Sequence, residues 1–193
     1  MKLSKGFTLI ELLIVIGVLG ILASGLLAAV DPFEQLKKAR DANNRNAAVE
    51  TLNGMTRYYA THGVLPWNST LASCVDQTYD NLRLADTGDY PHKVVMMSNT
   101  TTVGYDPKVN ACVSDSLIAD GELKSAFFSG LSTKFYIGSG NATKVVVCYA
   151  PEGKALRNDV VAVNWTYDSV AKEVTAGCIA ADRTLGKCVQ CFE

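Results

Sequence analysis

One carboxylate, Glu11, stands in a run from Phe7 to Val30 that contains no other ionisable side chain. A charge in so apolar a setting is costly, and such a residue usually has a partner and a purpose. The only chemistry it can offer there is to neutralise a cation. The six cysteines, Cys74, Cys112, Cys148, Cys178, Cys188 and Cys191, all follow the apolar run. An even number beyond such a run predicts disulfides in an oxidising space, with the pairing left open. Cys188-x-x-Cys191 has two sharper readings. As half of a zinc site it lacks a second close ligand pair, since His62 and His92 are isolated. As a redox pair it lacks the strand–helix context such motifs have. Asp86-Thr87-Gly88-Asp89 could offer oxygens to Ca²⁺, but it reads as an ordinary turn. No nucleophile–base or paired-carboxylate arrangement is suggested by spacing. No catalytic residue, metal or cofactor is expected, and the chain is not read as an enzyme.

The element that must carry Glu11 is a helix. The stretch is long enough to cross ~30 Å of hydrocarbon, and it is apolar all round, so lipid or sister helices must cover it. A secretory signal would have a shorter apolar core, typically ~7–15 residues, and no need of a carboxylate. A plain single-pass anchor also leaves Glu11 unexplained. Lys2 and Lys5 precede the run and Lys37, Lys38, Arg40 and Arg45 follow it, so charge does not set the orientation. Gly17, Gly20 and Gly25 either allow close helix packing or are simply tolerated.

Lys5-Gly6-Phe7-Thr8-Leu9-Ile10-Glu11-Leu12 resembles the precursor signal of type IV pilins and the related pseudopilins of type II secretion. The resemblance implies a leader of residues 1–6, cut after Gly6 by a prepilin peptidase, and N-methylation of Phe7. It also implies that Glu11 becomes the fifth residue of the mature chain. The freed amine of Phe7 would lie in a water-poor bundle, where Glu11 of a neighbouring copy could neutralise it. An unpaired buried charge costs several kcal/mol, so this pair would fix axial register more than add stability. Leu9, Leu12, Leu13, Val15, Ile16 and Leu19 would line the filament core. Further partners implied are an assembly ATPase, an inner-membrane platform protein and membrane lipid before assembly. The precursor would be a single-pass cytoplasmic-membrane protein with its C-terminus outside, and the product an extracellular pilus. A secretion pseudopilin and a minor tip subunit with an adhesive role are the alternatives.

Asp31-Pro32 suits a helix start. From Phe33 to Thr61, Leu36, Ala39, Ala42, Ala48/Val49, Leu52, Met55 and Tyr59 recur at helical spacing, and His62-Gly63 ends the helix. "TRYYATHGVLPW" (56–67) is similar to the segment that ends the long helix in pseudopilins and related pilins. Strands are expected at Lys93–Met97, Lys144–Tyr149, Val160–Tyr167 and Val170–Thr175, and a short helix at Gly121–Leu131. The fold class is α+β. A long protruding N-terminal helix is expected to pack in its second half on a small antiparallel sheet, the ladle shape of pilins. Residues 7–30 would be the apolar half, 31–62 the amphipathic half, and 63–193 a disulfide-stabilised head. Type IV pilins often close a C-terminal loop with a disulfide, which the tail from Cys178 to Cys191 resembles. The chain has 18 basic and 19 acidic residues, and no basic tract predicts a specific nucleic-acid partner. Asn68, Asn99, Asn141 and Asn164 lie in N-x-S/T sequons, which are weak signals by themselves.

Overall fold

The computed structural model describes residues 6–29, 31–75, 82, 92–99, 106–139 and 144–193. The chain divides into two compact units, Met1–Leu36 and Lys37–Glu193, and its class is α+β, as expected.

The first unit holds α1 (Leu9–Ala29) and the first turn of α2 (Pro32–His62). Asp31 starts α2: its Oδ1 accepts from the N–H groups of Phe33 (3.1 Å) and Glu34 (3.2 Å). Pro32 takes the first helical position, where its missing N–H is harmless. At the other end Gly63, at φ +73°, donates its N–H to the Tyr59 carbonyl at 2.8 Å. That is the left-handed glycine cap that the sequence predicts.

In the second unit α2 buries Asp41, Asn44, Ala48, Thr51, Gly54, Met55 and Tyr58. Their three-and-four spacing is helical, but the stripe differs from the one expected. Leu36 is exposed, and Leu52 and Tyr59 are only half-buried. Three polar side chains take core positions with a hydrogen bond to at least one of their polar atoms, although Asn44 Nδ2 has no partner among the described residues. Asp41 Oδ1 and Oδ2 accept from the N–H groups of Glu152 and Gly153, both at 2.8 Å. Asn44 Oδ1 accepts from the Ser132 hydroxyl at 2.7 Å, and the Thr51 hydroxyl donates to the Ala47 carbonyl at 2.8 Å. Burial without such partners would cost each of them ~1–3 kcal/mol.

Among the described residues six antiparallel strands follow: β1 (His92–Met97), β2 (Phe135–Ser139), β3 (Val145–Tyr149), β4 (Trp165–Asp168), β5 (Glu173–Ala176) and β6 (Cys188–Phe192). They close in the order β1-β2-β3-β6-β4-β5, with β5 pairing back onto β1 through His92↔Val174 and Lys93↔Glu173. Alternate residues face opposite sides. Val95, Met97, Phe135, Ile137, Val147 and Tyr149 join Ala48, Met55 and Tyr58 of α2 in one core. The other side forms a second core of Val94, Val146, Cys148, Trp165, Val174 and Val189. Gly138 faces this second core. A Cβ there would come within 2.8 Å of Val146 Cγ1 and the Lys93 carbonyl and 2.9 Å of Val94 Cγ1.

Two expected strands are shorter than the sequence pattern. Asp159 Oδ1 accepts from the N–H groups of Val161 (2.9 Å) and Ala162 (3.0 Å), so this stretch turns and only Trp165–Asp168 is strand. Asp168 Oδ1 likewise accepts from Val170 (2.8 Å) and Ala171 (3.1 Å), and Lys172 is left-handed at φ +52°. Hence β5 starts only at Glu173. Gly121–Leu131 contains a 3-10 turn at Phe128–Gly130 rather than a helix. A short helix, α3 (Pro107–Val113), lies instead before it, capped by Asp106. Two others, α4 (Lys154–Arg157) and α5 (Ala180–Thr184), flank β4 and β5.

Candidate functional site at the N-terminal helix

Thr8 and Glu11 form a reciprocal cap at the start of α1. Glu11 Oε2 accepts from the Thr8 backbone N–H at 2.9 Å and from the Thr8 hydroxyl at 2.7 Å. The Glu11 N–H donates back to Thr8 Oγ1 at 3.3 Å. This is a capping box, in which a hydroxyl residue and a carboxylate three positions later satisfy each other's backbone donors. Glu11 is thus held in the first turn of the helix by Thr8, the residue that follows Phe7. The sequence reading missed Thr8, although Thr-x-x-Glu before an apolar run is a legible signal.

Beyond the cap, the described side chains of α1 present no buried face. Phe7 is 83% exposed, and Leu9, Leu12, Leu13, Val15, Ile16 and Leu19 are all exposed. The 19 residues Leu9–Leu27 are long and apolar enough to cross a membrane, and none of the span's most apolar stretch is buried within the chain. Gly17, Gly20 and Gly25 have nothing within 4 Å of a would-be Cβ, so no close approach inside the chain requires them. Ser24, the one hydroxyl in the helix, donates to the Ile21 carbonyl at 2.8 Å. The arrangement offers a large apolar surface, a carboxylate of fixed position, and an exposed Gly6-Phe7 junction. It can bind an apolar partner and a cation; it holds no acid–base pair.

The cysteines are all paired: Cys74 with Cys112, Cys148 with Cys191, and Cys178 with Cys188. Cys188 and Cys191 lie three apart on β6, so their side chains leave opposite faces of the strand. Cys191 meets its direct cross-strand neighbour Cys148 in the second core, while Cys188, also buried, pairs from the other face with Cys178. Cys188 and Cys191 therefore do not form a redox pair with each other. Among the described residues no group of three or more His, Cys, Asp or Glu could hold a metal. His62 stacks on Tyr58 (centroids 4.1 Å apart) and lies 3.5 Å from Asp120. Asp86–Asp89 and Asn141 lie outside the described residues. Asn68 and Asn164 are exposed, and Asn99 donates to the Ser129 carbonyl at 3.4 Å.

Residues 1–27 match the family described as the prokaryotic N-terminal methylation motif. Among curated proteins, a fimbrial protein of Neisseria meningitidis serogroup A / serotype 4A is 40% identical over 76 residues, 39% of this chain and 44% of that protein. A type IV major pilin protein PilE1 of Neisseria gonorrhoeae is 38% identical over 78 residues, 40% of this chain and 46% of that protein. A fimbrial protein of Neisseria meningitidis serogroup B is 41% identical over 70 residues, 36% and 40% of the two chains. The matches span less than half the length of these relatives. No solved structure matches the chain. The resemblance to type IV pilins read from Lys5 to Leu12 thus has independent support over part of the chain.

Proposed function

We propose that this chain is a structural subunit of a type IV pilus filament. Residues 1–6 are a leader removed after Gly6 by a prepilin peptidase, and Phe7 becomes the N-methylated first residue. The precursor waits in the cytoplasmic membrane on α1, with its disulfide-stabilised head in an oxidising space outside. An assembly ATPase and a platform protein then move subunits from lipid into the filament.

The observation that carries this reading is a helix long enough to span a membrane, exposed on every side, with a single carboxylate held at its start. Lipid covers such a surface first, and sister helices cover it afterwards. Transfer between the two environments costs little hydrophobic energy, because both are apolar. Polar groups therefore set the register. Cleavage creates an amine at Phe7 beside the Thr8–Glu11 cap. In the lipid-bound subunit the Glu11 charge is held by Thr8. In the bundle it also meets the amine of an adjoining copy, and a mismatched register strands both charges at a cost of several kcal/mol. A head-to-tail contact that does not close on itself then grows as a helical fibre.

Similarity to Neisseria major pilins favours a pilus over a secretion pseudopilus or a minor adhesive tip subunit. The test is Glu11→Gln, which keeps the shape and one acceptor but removes the charge. Cleavage should proceed normally while filament yield falls at least tenfold. Wild-type filament yield from Glu11→Gln would overturn the register role.

A further inference from the structure

A second site lies in the head, far along the sequence from α1. A groove of about 560 Å³ opens between α4 and α5 and the turn that precedes β4. Lys154, Arg157 and Arg183 line it, with Asn158 and Thr184 between them. Among the described residues no carboxylate lines it, in a chain whose acidic side chains outnumber its basic ones. Two acids adjoin lining residues in sequence, Asp159 and, on α5, Asp182. Asp159 Oδ1 accepts from the N–H groups of Ala162 and Val161, and these bonds, then the Arg183 charge, hold its carboxyl below the usual carboxylate range.

The groove is built rather than accidental. Arg183 donates through Nη1 to the Arg157 carbonyl and through Nη2 to the carbonyl of buried Val163 at 2.8 Å. The Cys178–Cys188 disulfide closes the segment that carries Arg183, at a sequence separation of 10. Arg183 is thereby fixed before any ligand arrives, which lowers the ordering cost of binding.

The flanks tell what kind of anion fits. Val160 lines the groove at 67% exposure, and Val161, Ile179 and Leu185, each adjacent in sequence to the turn or to α5, are 81%, 66% and 68% exposed. Cations beside exposed aliphatic side chains suit a lipid interface, where the charges meet phosphate and the aliphatics enter the boundary of the acyl chains. No aromatic residue lines the groove, so nucleic-acid bases would have no stacking platform.

We propose that this groove docks the head onto the phosphates of an anionic phospholipid surface. Lys154, Arg157 and Arg183 supply the charge, and Val160, Val161, Ile179 and Leu185 the apolar contact. Each cation near an anionic surface is worth about fivefold in binding, so the contact is weak, reversible and released by salt. It would hold the head at the membrane before assembly; this timing rests on the filament reading, while the groove and its ligand do not.

The test uses the full chain in nanodiscs of phosphatidylcholine alone or with phosphatidylglycerol. The readout is amide exchange in residues 154–163 and 178–185. Phosphatidylglycerol should slow exchange there by about fivefold or more without changing the barrel strands. Lys154→Gln with Arg157→Gln should abolish that slowing while barrel protection persists. Equal exchange in both discs overturns the proposal for the wild-type chain, whatever the variant does. Equal protection by inorganic phosphate with phosphatidylcholine discs, or stronger protection by an oligonucleotide, overturns it in favour of a free anion or a nucleic acid.

Discussion

Thr8 gives Glu11 two donors before any neighbour is present, and this makes the first turn of α1 self-sufficient. Thr8→Ala removes the hydroxyl from both halves of the box. It should cost about 1 kcal/mol of helix-end stability, seen as faster amide exchange from Leu9 to Leu12, whereas Thr8→Ser should retain wild-type protection. Equal exchange in the alanine and serine variants would show that the cap does not hold Glu11. Glu11 stood out in the sequence because it is the lone charge in an apolar run. Thr8 did not, because a hydroxyl at the edge of that run looks ordinary until it is paired with the residue three positions on.

The barrel depends on Gly138 at the element scale. Val94 and Val146 occupy its two neighbouring strands in register, and their methyl groups fill the space of a Cβ. Gly138→Ala should destabilise the head by about 2–3 kcal/mol, read as a lower thermal midpoint with the helical signal of α1 unchanged. An unchanged midpoint would mean that the strands can separate to admit the methyl group. Asp41 is the corresponding clasp between α2 and the segment after β3. Asp41→Ala should cost about 3 kcal/mol, because two N–H groups lose a charged acceptor, and Asp41→Asn, which keeps one acceptor oxygen, should cost less. The strands β1 and β3 were legible from short unbroken apolar runs (residues 94–97 and Val145–Tyr149), and the cap of α2 from His62-Gly63. The buried seam of α2 was not, since Asp41, Asn44 and Thr51 look solvent-facing until the groups that satisfy them are known. β6 was hidden in a cysteine-rich tail, and the ends of β4 and β5 were masked by Asp159 and Asp168, whose side chains turn apolar stretches into loops.

For the whole molecule, the head should lose stability in strong base. Burial pushes the Tyr149 hydroxyl up to about 12, aided by the Asp41 charge and opposed by Arg45. It donates to Gln190 Oε1 at 2.8 Å. Burial, then the nearby Tyr167, pushes Tyr136 up to about 12 as well. An unfolded tyrosine titrates near ~10. The folded pKa is raised, so this contribution is complete below about pH 10 and is lost as pH rises through 10–12. Tyrosinate absorbance and circular dichroism should therefore change together in that window; all eight tyrosines titrating near 10 in an intact fold would contradict it. The disulfide pairing needed the structure, because sequence does not choose among partners. The claim that governs everything else is that the chain is cut beside Gly6 and works from Phe7. Intact mass spectrometry of the protein recovered from its native membrane or filament tests it most directly. The account predicts a chain beginning at Phe7, heavier by one methyl group and lighter by two hydrogens for each of three disulfides. A mature chain that retains residues 1–6, or one that begins elsewhere, would contradict it.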